Sequence, residues 1–407
     1  MQGIHTLTSW TVYGQLGLST PLGDLTVLPA HVESHQADNR QLLGNVTAFN
    51  YGEIQDSIEA RLASKPGSTL TWVAGLYYLV SDQARDQGEN RIGGVLQTAE
   101  RVESTTTTRA AFGQATYPIT DALRLTAGLR YTSDKKAQAY AGGPEYSKTK
   151  TSVSFKAGLE YDLAEASMIY ANVSNAYKAG GYGEDPSASQ YEPEKLTAYQ
   201  FGSKNRFFDN RLQVNLEAFY YDYKQYQVGF PLIINGVFTM VTRNAGSATV
   251  KGLEAELNYK LSRADTVRFN VSRLDGKFGD FSYTDLSGLR DFSGLVMPNA
   301  PRWAGDIGYE HRFDLPGGGD VTASLNTHVS ARYQTTVERT TDAEQPAYAR
   351  SDAAVAYTPQ DGKWTIRAYV KNIENEPVRV LGLETPFASR AILGAPRTYG
   401  AVFSVKF

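Results

Sequence analysis

Residues 166–228 read ASMIYANVSNAYKAGGYGEDPSASQYEPEKLTAYQFGSKNRFFDNRLQVNLEAFYYDYKQYQV, and this stretch decides the fold. It holds two segments of alternating polarity joined by a long polar, Gly-rich connection, then a tight turn and a third alternating segment. One face of the third segment carries five apolar side chains, Leu212, Val214, Leu216, Ala218 and Tyr220. The residues between them are mostly polar. A period of two predicts a β-strand with one apolar and one hydrated face.

The same alternation recurs along the whole chain, with almost nothing helical between the repeats. Residues 237–244 are predicted to extend a strand on its loop side, which leaves about 17 strands. Many run to roughly ten residues or more, the length that a tilted membrane strand needs, whereas strands of soluble sandwiches average about five or six. Strands are expected at 5–18, 22–33, 52–62, 69–81, 104–117, 122–132, 147–161, 166–176, 195–206, 211–228, 237–244 joined to 246–261, 264–275, 301–313, 320–332, 347–357, 363–372 and 397–407.

Short and long connections are predicted to alternate strictly. The short ones are 19–23, 63–68, 118–121, 162–165, 207–210, 262–265, 314–319 and 358–362. The long ones are 34–51, 82–103, 133–146, 177–194, 229–245, 276–300, 333–346 and 373–396. Soluble sandwiches have no reason to alternate in this way, whereas outer-membrane barrels have short periplasmic turns and long external loops.

Aromatic side chains lie near the ends of segments that lead into short turns. A girdle at one water–lipid boundary is therefore predicted from Tyr117, Tyr161, Phe207, Tyr259, Phe313, Tyr357 and Phe407. No apolar run approaches the roughly 20 residues of a membrane helix, and the longest, Leu70 to Val80, has strand length. The first ten residues, MQGIHTLTSW, lack the basic and apolar regions of a signal peptide.

Composition argues against several classes of protein. The chain has 40 basic and 43 acidic residues, so no nucleic-acid partner is expected. It has no cysteine and only five scattered histidines, and neither a metal site nor a cofactor is predicted. The run Gly180 to Gly183 lacks the lysine and following helix of a phosphate loop and indicates a flexible loop. No catalytic constellation can be assembled, so an enzyme is not expected.

Several segments resemble the barrel of TonB-dependent outer-membrane receptors. They are YANVSNAYKAGGY (170–182), YEPEK (191–195), AYQFGSK (198–204), DNRLQVNLEAFYYDYKQYQ (209–227), NAGSATVKGLEAEL (244–257), PRWAGDIGYEH (301–311), VKNIENEP (370–377) and PRTYGAVFSVKF (396–407). The combination in this order is specific and covers most of the chain. It implies an all-β fold, an antiparallel transmembrane β-barrel in the outer membrane of a Gram-negative bacterium. Residues 1–407 would supply about 17 strands of a 22-stranded barrel.

The end of the chain resembles the family's signal for the barrel-assembly machinery, with Tyr399, Phe403, Val405 and Phe407 as its residues. Family members also have an N-terminal plug that carries the segment engaging TonB. Nothing here resembles the plug or that segment, and about five strands are absent. Counting back from a periplasmic Phe407 puts residue 1 outside the cell, although bacterial barrels enter from the periplasm and have even strand counts. We therefore expect the C-terminal portion of a receptor barrel.

The resemblance implies energy-coupled uptake of a scarce nutrient, most often a ferric siderophore or other iron complex. The TonB–ExbB–ExbD system would act through the plug, and outer-membrane lipid would surround the barrel. A passive porin-like diffusion channel and a soluble or surface-displayed β adhesin remain the alternatives. The polar strand faces, which include Glu217, Glu254 and Glu256, suit a hydrated lumen.

Candidate ligand contacts are the arginine and aromatic residues of the long connections. Arginine recognises carboxylate- or catecholate-rich chelates through its planar donor fork, and aromatic rings supply desolvated contact area. The candidates are Tyr182, Tyr226, Phe230, Phe238, Arg290, Phe292, Tyr333, Arg339, Arg379 and Arg390.

Overall fold

A computed structural model describes residues 3–42, 45–92, 95–97, 101–143, 145–183, 190–234, 237–285, 288–337, 339, 341–385 and 388–406. Most of them lie in strands. Up to residue 234 these are β1 (Gly3–Tyr13), β2 (Leu16–Ser19), β3 (Asp24–Leu42), β4 (Asn45–Ala63), β5 (Thr71–Ile92), β6 (Val95–Gln97), β7 (Arg101–Pro118), β8 (Leu123–Tyr140), β9 (Glu145–Ala164), β10 (Ser167–Lys178), β11 (Glu194–Phe207) and β12 (Leu212–Ile234).

The remaining strands are β13 (Val237–Lys260), β14 (Asp265–Phe278), β15 (Ser282–Asp285), β16 (Gly288–Asp291), β17 (Trp303–Asp314), β18 (Asp320–Ser330), β19 (Tyr333–Gln334), β20 (Glu344–Gln345), β21 (Tyr348–Thr358), β22 (Trp364–Lys371), β23 (Arg379–Thr385), β24 (Ala388–Leu393) and β25 (Thr398–Val405). A single 3-10 turn, Thr341–Ala343, was assigned in the described ranges. None of the described helical residues forms a segment long and apolar enough to cross a membrane.

The first structural unit comprises residues 1–159, 173–196 and 225–244. Its ladders are antiparallel and join strands close in sequence: β1 and β2 pair with β3, and the pairing continues through β4, β5, β7 and β8. The β3–β4 ladder runs unbroken from the pair Asp24–Ala63 to the pair Leu42–Asn45. Strands β3, β4, β5, β7 and β8 are therefore fixed in register by their neighbours over far more than ten residues.

Several predicted long connections of this unit are wrong, because the strands continue through them. Residues 34–51 belong almost entirely to β3 and β4, and β5 extends to Ile92. Likewise β8 extends to Tyr140, and only residues 141–144 separate it from β9. Alternation weakens in these extensions because polar side chains occur on both faces there, whereas the backbone ladder needs no apolar face and persists. Residues 237–244 do extend a strand as predicted, since β13 is continuous.

The second unit comprises residues 160–172, 197–224 and 245–407. Its ladders are also antiparallel and follow chain order from β13 through β14, β17, β18, β21, β22 and β25. Three small hairpins, β15–β16, β19–β20 and β23–β24, lie within the connections predicted at 276–300, 333–346 and 373–396. Periodicity gave no sign of them because their strands span only two to seven residues.

Burial is inverted relative to a water-soluble protein. On β8 the apolar Leu129 is 64% exposed, whereas Thr126 and Thr132 on the opposite face are 7% and 6% exposed. On β18 the apolar Leu325 is 47% exposed and Ser330 is 7% exposed. Leaving a leucine side chain in water forgoes about 1.5–3 kcal/mol relative to burial, so faces of this kind need an apolar solvent. The exposed apolar faces are those expected of strands in a membrane barrel.

The strand ends joined by short turns are called the turn end, and the opposite strand ends are called the loop end. The predicted aromatic residues that the structure describes lie at the turn end. In the first unit Tyr117 is 53% exposed beside the end of β7. In the second unit Phe207 closes β11 and Phe313 lies one residue before the end of β17. These exposed rings fit the predicted girdle. Phe407 lies outside the described residues.

The turn between β17 and β18 shows why glycine is needed at the turn end. Gly319 has a φ of 82°, in the region that favours glycine. A Cβ added there would lie 2.5 Å from the carbonyl oxygen of Thr358. Both the backbone conformation and the close approach of the next turn therefore require a residue without a side chain.

Candidate functional site: a lysine and tyrosine cleft at the loop end

The first unit carries a polar cleft at its loop end, on the face opposite the exposed apolar side chains. Strands β8 and β9 form one side, and the connection between β10 and β11 forms the other. The cleft is lined by Asp134, Lys136, Lys148, Lys150, Ala179, Gly180, Gly181, Tyr182, Tyr191 and Pro193. Three lysines and two tyrosines therefore surround one small space.

Lys148 and Lys150 are two residues apart on β9 and therefore project from the same face of the strand. Both reach the carboxylate of Glu192. The Lys148 Nζ lies 2.9 Å from Oε1, and the Lys150 Nζ lies 2.9 Å from Oε2. Hydrogen bonds from Lys150 and Lys148 hold the pKa of the Glu192 carboxyl below its ordinary value of 4.5. The carboxylate is therefore charged at neutral pH and bridges the two ammonium groups.

The backbone of Glu192 is held by two amide side chains. Asn244 accepts a hydrogen bond from the Glu192 N–H at 2.8 Å and donates to its carbonyl oxygen at 2.9 Å. Gln227 donates to the same carbonyl at 3.2 Å and to the carbonyl of Ala179 at 3.0 Å. Gln227 therefore hydrogen-bonds to both ends of the connection between β10 and β11, at Ala179 and at Glu192.

The glycines of this connection permit a close backbone approach. A Cβ at Gly180 would lie 2.4 Å from the carbonyl oxygen of Tyr191, and one at Gly181 would lie 2.4 Å from the Tyr191 hydroxyl. Gly181 also exchanges backbone hydrogen bonds with Tyr191, at 3.1 and 3.0 Å. The Gly-rich run read from the sequence as a flexible loop is, at these two residues, a bridged and closely packed segment.

Tyrosine rings line the cleft beside the lysines. The Tyr146 ring centroid lies 5.6 Å from that of Tyr182 and 6.1 Å from that of Tyr140. The Tyr140 hydroxyl and the Gln138 amide both donate to the carbonyl of Gly183, the latter at 2.6 Å. Burial raises the pKa of the Tyr182 hydroxyl, so this residue stays neutral. The rings offer aromatic faces without adding charge.

Asp134 is the acidic residue lining this cleft, and its carboxylate already has donors. Thr108 Oγ1 donates to Oδ1 at 2.5 Å, and the Tyr177 hydroxyl donates to Oδ2. Asp134 is 9% exposed, so its charge is turned mostly toward these hydroxyls. The lysines accordingly set the electrostatic character of the cleft.

A second polar pocket of the first unit lies on the same strand face and has a volume of about 310 Å³. Glu53 accepts hydrogen bonds from Ser81 and Gln83 at 3.0 Å each. The Arg85 guanidinium lies 5.7 Å from the centre of the Tyr51 ring. These contacts form a polar, hydrogen-bonding wall.

In the second unit, Glu217 and Glu256, two of the carboxylates predicted to lie on polar strand faces, also accept hydrogen bonds from neighbouring side chains. Glu217 accepts from the Tyr170 hydroxyl at 2.5 Å and from the Gln200 amide at 2.7 Å. Asn215 donates to Glu256 at 3.2 Å. Over the described ranges, no cluster of three or more histidine, aspartate or glutamate side chains is arranged to hold a metal ion.

Of the ten predicted ligand contacts, Tyr182 lies in the lysine and tyrosine cleft, and Tyr226 is half-buried in β12 of the same unit. The side chains of Phe230, Phe238 and Arg390 lie outside the described residues.

The other five candidates belong to the second unit. Phe292 is 7% exposed and packs 5.3 Å from the Phe281 ring. Arg379 donates to the carbonyl of Glu344 at 3.0 Å, and Arg339 donates to that of Val296 at 3.4 Å. Arg290 is exposed on β16, whereas Tyr333 is half-buried on β19. These contacts hold connections together, and ligand binding by the ten residues stays a prediction.

Sequence reasoning missed the residues that build the cleft, namely Lys148, Lys150, Glu192, Gln227 and Asn244. The pair Lys148 and Lys150 did carry a signal, because lysines at positions i and i+2 share one strand face. Glu192 and Asn244 lay within motifs already singled out, but their 52-residue separation hid the contact.

The exposed apolar faces, the antiparallel ladders and the polar cleft at the loop end define an outer-membrane β-barrel protein. Residues 5–373 match the family model described as TonB dependent receptor-like, beta-barrel, and the chain belongs to that family. Its members are outer-membrane proteins of Gram-negative bacteria, and so is this protein. The family consists of receptors and transporters.

Known proteins agree with this assignment. The pesticin receptor of Yersinia pestis is 23% identical over 316 residues, which are 75% of this chain and 44% of that protein. The crystal structure of the ferric yersiniabactin uptake receptor FyuA from Yersinia pestis superposes with a TM-score of 0.83 at 20% identity, covering 99% of this chain and 61% of that one. The copper transporter OprC has a TM-score of 0.77 at 13% identity, covering 98% and 65%. The chain thus spans less than half the length of its curated relative.

Proposed function

We propose that the protein serves as the barrel of an outer-membrane receptor for TonB-dependent uptake of a scarce nutrient, a ferric siderophore or other iron complex. The observation that carries this proposal is the cleft lined by lysines and tyrosines at the loop end of strands whose apolar faces are exposed. Lysine ammonium groups attract anionic chelates, and tyrosine rings supply contact area for their aryl groups. The name of the ferric yersiniabactin uptake receptor favours an iron chelate, whereas OprC is a copper transporter.

In the proposed orientation the turn end faces the periplasm and the loop end faces the medium. A chelate would bind among the loop-end side chains, and the polar strand faces would line its path inward. TonB, energised by ExbB and ExbD, would act through a plug, and the barrel-assembly machinery would insert the protein into outer-membrane lipid. The strands supply the wall and the binding surface, and no catalytic step on the cargo is required.

Growth of a deletion strain on single iron sources tests the proposal. The strain should lose growth on at least one ferric chelate, and the complete gene should restore it only in a background with TonB. A passive diffusion channel is the competing outcome, and it predicts equal rescue with and without TonB. A soluble adhesin would leave iron-limited growth unchanged and would stay monomeric without detergent.

A further inference from the structure

The cleft contains two cations that converge on one anion, and that anion is supplied by the chain itself. Each oxygen of the Glu192 carboxylate takes one lysine, Lys148 or Lys150, at 2.9 Å. Gln190 lies 3.4 Å from the Lys148 Nζ through its Oε1. The result is a two-pronged fork whose geometry suits a group with two adjacent oxygens.

We propose that Lys148 and Lys150 form an anion-binding fork for a negatively charged iron chelate, and that the Glu192 carboxylate occupies the ligand's place until the chelate arrives. This inference rests on the proposed uptake function and narrows its cargo to chelates with exposed carboxylate, phenolate or catecholate oxygens. The three residues thus form both a binding site and an internal competitor for it.

Displacement of Glu192 is inexpensive because the ion pairs are exposed to solvent. The lysine side chains are each 39% exposed and the Glu192 side chain is 49% exposed. Exposed pairs of this kind contribute only about 0–1 kcal/mol each. A chelate with several anionic oxygens carries more negative charge than one carboxylate, so it is attracted more strongly to the two ammonium groups and can replace Glu192.

The surroundings favour an incoming anion over a cation. Lys136 lines the same cleft, so once Glu192 is displaced three lysines face the single carboxylate of Asp134. Tyr146 and Tyr182 stand beside the fork with their rings 5.6 Å apart. An aryl-bearing chelate would therefore meet aromatic contact area next to the lysines.

The exchange requires the Glu192 side chain to leave the lysines, and the chelate then binds at the mouth of the cleft, because the enclosed space of about 20 Å³ is too small to admit it. Asn244 and Gln227 hold both the N–H and the carbonyl of this residue. With the backbone fixed, a rotation of the side chain releases the lysines without rearranging the connection between β10 and β11. The fork therefore stays in place whether its occupant is Glu192 or the chelate.

Equilibrium binding to the purified full-length gene product in detergent tests this proposal with two probes, a strongly anionic ferric tricatecholate and a cationic ferric trihydroxamate. Lys148→Gln combined with Lys150→Gln should weaken tricatecholate binding about tenfold or more, as expected for losing charge-assisted contacts. Glu192→Gln should tighten it severalfold by removing the competitor. Neither change should alter trihydroxamate binding.

Lys156→Gln is the matched control, because Lys156 lies on the same strand and face as Lys150, six residues or roughly 20 Å away. It should leave tricatecholate binding unchanged. Equal tricatecholate binding by the double lysine variant and the unaltered protein would overturn the fork, as would weaker binding by Glu192→Gln. Either result leaves the uptake function standing if a ferric chelate still supports TonB-dependent growth. Failure of the unaltered protein to bind either probe, with no iron-dependent growth defect, would overturn both.

Discussion

Asn244 is the residue whose removal should loosen the cleft most selectively. Its side chain accepts a hydrogen bond from the Glu192 N–H at 2.8 Å and donates to the carbonyls of Glu192 and Gln225 at 2.9 and 2.7 Å. Asn244→Ala removes all three. Each bond contributes a net free energy of about 0.5–1.5 kcal/mol, and the lower part of that range applies because the site is partly exposed. Loss of the three bonds should therefore lower the free energy of local opening by roughly 1.5–3 kcal/mol. This free-energy change corresponds to roughly 10- to 150-fold faster hydrogen exchange of the Glu192 amide, which exchanges through local opening.

Hydrogen exchange of the Glu192 amide in the folded protein measures this effect directly. Asn244→Asp is the control, since it keeps an oxygen that can accept from the Glu192 N–H but loses both donated bonds. Exchange at Glu192 should rise more in the alanine variant than in the aspartate variant. Unchanged exchange in the alanine variant would refute the inference that Asn244 holds this backbone.

Three further predictions concern the membrane face, pH and assembly. Leu325→Arg should destabilise the lipid-inserted protein by about 2–4 kcal/mol in a folding titration, whereas the same change at the adjacent Asn326, on the opposite face, should have a much smaller effect. The Glu192 pKa is lowered in the folded state, so its contribution to the stability of the cleft is present above about pH 4.5 and should be lost as pH falls through the lowered value. Protection of its amide, measured relative to the intrinsic exchange rate at the same pH, should fall over that range, and Glu192→Gln should show no such fall. Deletion of Phe407 should reduce outer-membrane assembly of the full-length protein, and unchanged heat-modifiable migration on a gel would count against that.

The parts of the strands with one apolar and one polar face were predictable because successive side chains point to opposite faces, so their polarity alternates with a period of two. Leu125, Leu129 and Tyr131 alternate with Thr126 and Thr132, and the structure exposes the first set and covers the second. The same pattern located the turn-end portions of the long strands closely, for example the start of β3 at Asp24 and the start of β8 at Leu123. Where a strand leaves the lipid, the constraint on its outward face ends.

The loop-end extensions were not predictable for that reason. From Asp134 onward β8 has charged or polar residues on both faces and only Ala137 and Ala139 as aliphatic residues, yet it remains paired with β7 as far as the pair Val102–Tyr140. Backbone hydrogen bonds hold such a ladder whatever its side chains. A reading based on hydrophobic alternation therefore assigned these residues to connections.

The cleft itself depends on contacts between segments far apart in sequence. Lys148 meets Glu192 across 44 residues, and Asn244 meets Glu192 across 52. No local spacing encodes these distances, although each residue type is suited to its role. Arginine and aromatic residues were favoured as ligand contacts on general chemistry, whereas the structure gathers lysines and tyrosines in the cleft.

Uptake of radioactive iron from a ferric chelate by intact cells tests the central claim most directly. The assay compares cells that express the complete gene with deletion cells, each with and without TonB. Saturable uptake that requires both the gene and TonB is the predicted result. Uptake that depends on the gene but is equal in the two TonB backgrounds would contradict the account and identify a passive channel.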